Sequence, residues 1–223
     1  MADKIIIQNV TKRFGEHTAL DDISLRFEEG KIHGIIGRNG SGKTVLFKCI
    51  CGFMKPSQGE ILVNDKKVAA LENQDIGIII ENPGFIDALS GFKNLKALAS
   101  VKKVIGDEEI REALIDVGLD PDEKKAVRKY SLGMKHRLGI AQAIMERPSL
   151  LLLDEPMNGL DRNGVLEMRK LFLRLKEDGM TILISSHYME DIETLCDTIT
   201  EFDQGKVIRT DGMSECSCDE SNS

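Results

Sequence analysis

The stretch Gly37–Thr44 reads GRNGSGKT, a G-x-x-x-x-G-K-[ST] pattern. An apolar run, Ile32–Ile36, leads into it, and a run without breakers, Thr44–Cys51, follows. Glycines let such a loop fold so tightly that successive backbone N–H groups point inward at an anion. A helix starting near Lys43 adds its positive end to the same place. The spacing fits a nucleotide's phosphates, with Gly37, Arg38, Asn39, Gly40, Ser41 and Gly42 as the cradle. Lys43 is then expected to reach the β- and γ-phosphates, and the Thr44 hydroxyl to ligate Mg²⁺. A second stretch, Leu150–Pro156 (LLLLDEP), ends an apolar run in two carboxylates. Ligands of α/β sheets bind at the C-terminal ends of strands. There Asp154 can hold Mg²⁺, and Glu155 can orient or deprotonate an attacking water. Taken alone, this strand end is as easily a solvated one. Taken after the phosphate loop, it points to hydrolysis of a nucleoside triphosphate.

The elements that must position these residues are legible as strands and helices in alternation. Ile5–Val10, Ser24–Phe27, Ile32–Ile36, Ile61–Val63 and Ile76–Ile80 read as strands, as do Leu150–Leu153 and Thr181–Ser185. Thr44–Cys51 reads as a helix closed by Gly52. Val165, Met168, Phe172 and Leu175 share one helical face, ended by Gly179. Between about 85 and 147 the chain is charged and rich in helix formers. There Ile110, Leu114 and Val117 share a face, and Gly118 is a stop signal. The pattern predicts an α/β fold with a mostly parallel sheet covered on both faces, and a helical lobe. Residues 1–210 are expected to form one nucleotide-binding domain. Residues 211–223, acidic and polar, are expected to be a disordered tail.

Composition narrows the function classes. The chain has 223 residues, enough to bury a substantial core. Lys+Arg is 30 against 37 Asp+Glu, a formal net charge of -7, so no overall basic footprint for nucleic acid is visible. Aromatic content of 4% with no Trp argues against a base-stacking platform. No apolar run approaches the roughly 20 residues that span a bilayer. The start, MADKIIIQNV, lacks a basic region and a cleavage site, so the chain is expected to be cytoplasmic. Cys49, Cys51, Cys196, Cys216 and Cys218 are odd in number and lack zinc-type spacing, so they are read as reduced thiols.

Further stretches carry a family resemblance. Tyr130–Met134 (YSLGM), before the helix KHRLGIAQAI, resembles the signature sequence of ABC transporter ATPases, usually quoted as LSGGQ. Asn158–Asp161 (NGLD) resembles that family's D-loop, and His187 its switch histidine. Phe14, in KRFG, sits where the family places a ring that stacks on adenine; the alternative is a core residue. The resemblance runs from Ile5 to about Val207. It implies a RecA-like P-loop core, an N-terminal antiparallel β part and a helical subdomain bearing the signature. It also implies a head-to-tail dimer, with an identical copy preferred over a paralogue. ATP and Mg²⁺ would be bound, and Ser131, Leu132, Gly133 and Met134 would act on the partner's nucleotide. The implied partner is a separately encoded membrane permease, so the chain would sit peripherally on the cytoplasmic face of the membrane. Glu155 and His187 would organise hydrolysis with Lys43, and Asp161 would act in the D-loop. Three positions depart from the pattern: Glu81 replaces the usual Gln, Leu132 a glycine, and Met134 the signature's Gln. Glu81 is a further candidate Mg²⁺ ligand. Together with YSLGMK it resembles the branch of bacitracin and lantibiotic-immunity exporters, whose permeases are ABC-2-like. Two rival readings stand against this one. A soluble ABC ATPase acting on ribosomes or DNA would need a basic surface, a coiled coil or a tandem domain. A small-molecule P-loop kinase would leave YSLGM and His187 unexplained.

Overall fold

The apolar run Leu150–Leu153 shows how the chain is layered. In the computed structural model it lies in a strand buried on both faces, and alternate side chains enter two different cores. Leu150 and Leu152 pack with the N-terminal strands and the first helix. Leu151 and Leu153 pack with the later helices. Only a central strand of a sheet covered on both sides needs four consecutive leucines, because side chains alternate with period two. The structure describes residues 2–68, 75–81, 84–186 and 188–212.

Ten strands and six α-helices follow in order: β1 (Asp3–Phe14), β2 (His17–Glu28), β3 (Ile32–Gly37), α1 (Lys43–Ile50), β4 (Gln58–Val63), β5 (Lys66–Lys67), β6 (Ile76–Ile79), α2 (Gly91–Lys102), α3 (Asp107–Asp116), α4 (Leu132–Ile144), β7 (Leu150–Asp154), α5 (Arg162–Glu177), β8 (Thr181–Ser185), α6 (Met189–Leu195), β9 (Thr198–Asp203) and β10 (Lys206–Gly212). One antiparallel sheet has the order β2-β1-β4-β5, and the larger sheet has the order β10-β9-β3-β8-β7-β6. Strands β9, β3, β8, β7 and β6 are parallel, and β10 is antiparallel to β9. Phe27, Phe47 and Ile35 join the two sheets in one core. Leu114, Leu138 and Phe172 join the parallel sheet to the helices in the other.

Local chemistry explains the ends. Helix α3 buries Ile110 and Leu114 and stops at Gly118, whose φ of +72° suits glycine. The Gly118 N–H donates to Ile115 O and the Leu119 N–H to Leu114 O, which ties off the last carbonyls. Helices α4 and α5 are capped by Ser131 and Asp161, which accept from Met134 N and Gly164 N. The last strand, β10, includes Asp211 and Gly212, which pair with Ile199 and Thr198. Ordered structure thus extends past 210, while residues 213–223, with Cys216 and Cys218, lie outside the described residues. Cys49, Cys51 and Cys196 are free and buried. Burial pushes their thiols up to about 11, about 12 and about 12, so they stay protonated and serve as packing.

Candidate functional site

The loop between β3 and α1 is held shut by contacts that exclude a side chain at two positions. Gly37 has φ +147°, and a Cβ there would lie 2.3 Å from Phe202 O. Gly42 has φ +111°, and a Cβ would lie 2.6 Å from Ala19 O. The Lys43 side chain is buried and folds back over the loop. Its Nζ donates to Gly37 O at 2.6 Å and Arg38 O at 3.2 Å. Both partners are neutral carbonyls, so the loop keeps a full positive charge at its centre. Ser41 Oγ is buried with no hydrogen-bond partner among the described residues. A buried hydroxyl left in this way is costly, and an oxyanion placed in the loop would satisfy it.

Strand β7 delivers the carboxylates to the same place. Thr44 Oγ1 donates to Asp154 Oδ2 at 2.6 Å, and Ser185 Oγ donates to Asp154 Oδ1 at 2.6 Å. The Glu155 N–H donates to Ser185 Oγ at 3.0 Å and Ser185 O at 3.2 Å. Glu155 itself has φ +53°, a left-handed conformation that costs a non-glycine residue on the order of 1 kcal/mol or more. Strand β8 thus clamps the end of β7, through the parallel register that sets Asp154 opposite Ser185. Phe14, His17, Asn39, Gly40, Lys43, Thr44, Asp154 and Glu155 line one cavity of about 290 Å³. Phe14 is 46% exposed, so it is not a core residue. Lys12 Nζ lies 5.1 Å from its ring centroid. Larger clefts exist beside β6, about 530 Å³, and between α3 and α5, about 820 Å³. Neither contains the phosphate-type loop or the two carboxylates of β7.

Glu155 also faces a second cavity, of about 280 Å³, lined by Ile79, Glu81, His136, Asp154, Pro156 and Asn158. Glu81 sits two residues beyond β6 with φ +63°. Its Oε1 accepts from Lys48 Nζ at 2.6 Å, and the residue does not line the phosphate-loop cavity. Burial lowers the pKa of His136, favouring its neutral form. Ser131, Leu132, Gly133 and Met134 are also outside the phosphate-loop cavity. They open α4 against the 158–161 loop, where a Cβ on Gly133 would lie 3.2 Å from Gly159 O. Asp161 caps α5, its Oδ1 accepting from Gly164 N at 2.8 Å. His187 lies outside the described residues.

The ABC transporter family model matches residues 20–158. This chain belongs to the ABC transporter family. It is 42% identical over 205 residues to the uncharacterized ABC transporter ATP-binding protein YybJ of Bacillus subtilis (strain 168), covering 91% of this chain and 94% of that one. It is 41% identical over 212 residues to the bacitracin transport ATP-binding protein BcrA of Enterococcus faecalis, covering 93% of this chain and 69% of the relative. Identity to the lantibiotic transport ATP-binding protein SrtF of Streptococcus pyogenes is 38% over 202 residues, covering 91% and 88%. Among solved structures, the dimeric post-hydrolysis state of the ATP-binding cassette MJ0796 bound to ADP and Pi superimposes with a TM-score of 0.86 at 25% identity, over 94% of this chain and 99% of that one.

The chain is therefore an ABC ATPase subunit that binds and hydrolyses ATP, and the expected fold class is borne out. The side chains of this ABC ATPase also fit a magnesium ion. Thr44 and Asp154 place two hard oxygens beside the phosphate loop. Magnesium is typically held by one or two carboxylates together with substrate phosphates. Among the described residues no helix is long and apolar enough to cross a membrane. Sequence reasoning missed Ser185 and His136. Ser185 was read only as the end of a strand, and its role at β7 depends on a pairing register that sequence does not reveal. His136, inside KHRLGIAQAI, carries no motif of its own and is marked only by the cavity it lines beside Glu155.

Proposed function

We propose that this ABC ATPase powers a separately encoded membrane permease of the ABC-2-like type, and that the pair exports peptide antibiotics. The observation that carries the ATPase half is the chain of short hydrogen bonds Thr44–Asp154–Ser185–Glu155, set against the Lys43 loop. It places a cation, a hydroxyl and two carboxylates around one cavity. Phe14 stacks on the adenine, and residues 37–44 hold the phosphates. Water attacks the γ-phosphorus, the bond to the ADP oxygen breaks, and Glu155 orients the water or takes its proton. Lys43 stabilises the charge that develops on the phosphoryl oxygens. Thr44 and Asp154, with Glu81 as a further ligand, would hold magnesium, which would supply charge neutralisation. His187 is assigned to the same step by resemblance. Ser131 and Gly133 of a second, identical subunit contact the γ-phosphate, and Asp161 acts beside them.

The groove beside β6 supports a membrane partner. It is lined by Phe53, Ile78, Glu81, Leu98, Val101 and Lys102, and Phe53, Leu98 and Val101 are exposed. Clustered exposed apolar residues mark interaction surfaces. Glu81 lies two residues beyond β6, and the same residue borders the groove and the Glu155 cavity. The peptide cargo is supported by the names of relatives such as BcrA and SrtF. The test is capture of the tagged chain from detergent extracts of its own cells. A multi-span membrane protein is the expected partner. Recovery of ribosomes or DNA in its place would overturn the transporter reading.

A further inference from the structure

The hairpin turn between β9 and β10 touches the phosphate loop, and the proposed chemistry does not use it. The Gly205 N–H donates to Ser41 O at 2.9 Å, and the Asp21 N–H donates to Gly205 O at 2.8 Å. One glycine thus joins the loop to β2 through both of its backbone polar groups. The packing there is close. Gly205 has φ +79°, and a Cβ on it would lie 2.8 Å from Ala19 O. A Cβ on Gly42 would lie 2.6 Å from the same carbonyl and 3.6 Å from Gly205 Cα. Strand β9 holds the other end of the loop, where Phe202 pairs with Gly37.

These contacts set the direction of a donor. A trans peptide is planar, so its carbonyl and the following N–H point in opposite directions. Among the described residues no peptide is cis. With Ser41 O held by Gly205, the Gly42 N–H is turned away from the hairpin. Gly42 lines the phosphate-loop cavity, and Gly205 does not. The Gly42 carbonyl is fixed as well, accepting from Leu46 N at 2.9 Å in the first turn of α1. A donor aimed before the anion arrives needs no reordering on binding. Without the bond to Gly205 the 41–42 peptide is free to flip, and a flipped carbonyl would face the phosphate oxygens.

We propose that Gly205 is a positioning residue for nucleotide binding: its N–H fixes the Ser41–Gly42 peptide so that the Gly42 N–H faces the phosphates. The inference rests on the reading that residues 37–44 hold the phosphates. It gives the last hairpin, remote from the loop in sequence, a share in nucleotide affinity.

The test is Gly205→Ala in the full chain. Its Cβ must push the turn off Ala19 O, and the Gly205 N–H off Ser41 O with it. Gly179→Ala is the control. Gly179 has φ +90°, and an added Cβ would meet no described atom within 4 Å, so this variant carries the backbone strain alone. Calorimetry, at a temperature where both variants are folded, should show the Kd for ADP-Mg²⁺ raised about tenfold in Gly205→Ala, the loss of one hydrogen bond to a charged group. Gly179→Ala should bind like wild type. KM for ATP should rise in step in Gly205→Ala, with kcat at saturating ATP held, because the amide faces the phosphates before and during the reaction. A wild-type Kd in folded Gly205→Ala, or an equal loss in Gly179→Ala, overturns the proposal. Should Gly205→Ala not fold, hydrogen exchange in the wild-type protein decides. ADP-Mg²⁺ should slow exchange in residues 202–206 together with the 37–44 loop, and slowing in the loop alone overturns the proposal. Slowing in neither would sink the functional reading itself, and the inference with it.

Discussion

The Lys43 ammonium is buried against two neutral carbonyls, a placement that makes sense only if an anion arrives. Charge-assisted hydrogen bonds of this kind contribute about 1.5–3 kcal/mol. Lys43→Ala should therefore weaken ATP binding by roughly ten- to a hundredfold and remove nearly all hydrolysis. Calorimetry checks the first part, and an unchanged affinity with normal turnover would contradict it. Lys43, Thr44, Asp154 and Glu155 were legible in the sequence because their chemistry sits in contiguous motifs. Ser185 was not, since a lone serine at a strand end is unremarkable until the register puts it opposite Asp154. The buried pair in which Arg169 on α5 donates to Asp191 on α6 at 2.6 Å is hidden for a similar reason. Its members lie 22 residues apart on different helices, and each alone reads as a surface charge.

Among the elements, those with a strong apolar period were readable, and those made by pairing were not. Strand β7 needed no context. Strand β1 runs from Asp3 to Phe14, well beyond the apolar run Ile5–Val10. Partners on both sides, β2 and β4, extend it through irregular register around Asn9. Strands β9 and β10 have no clean alternation. They form because Gln204 and Gly205, both at positive φ, make a tight hairpin turn. Strand β3 carries a pH-sensitive contact. His33 Nε2 donates to Glu28 O at 2.9 Å, and Nδ1 lies 2.7 Å from Thr198 Oγ1. Burial lowers its pKa below the ordinary 6.5, against the opposing pull of the Glu28 carbonyl. The unfolded chain then takes the proton first as pH falls. The stability from neutral His33 is complete above its ordinary pKa and is lost as pH falls through it. The urea midpoint should drop from about pH 7.5 to about pH 5.5, and drop less in His33→Gln. Equal slopes in the two proteins would assign the acid sensitivity elsewhere.

For the whole molecule, the decisive fact is that the described residues of one chain do not gather all the motif chemistry in one cavity. Phe14, Lys43, Asp154 and Glu155 meet, while Ser131–Met134 lie apart on the helical side. The proposed second copy would complete the site, and the superimposed MJ0796 cassette is a dimer. Ser131→Arg should spare ATP binding to the monomer and block hydrolysis, because the added cation enters the other subunit's phosphate site. Turnover per wild-type subunit should rise with protein concentration when no permease is present. Full activity in Ser131→Arg, or turnover independent of concentration, would count against a shared site. The most direct measurement combines both halves of the account in Glu155→Gln. Light scattering with ATP-Mg²⁺ should show an accumulating dimer, since the carboxylate proposed to start hydrolysis is gone while the binding surfaces remain. Phosphate release should fall by on the order of a hundredfold or more. A variant that stays monomeric with ATP and releases phosphate at the wild-type rate would contradict the account.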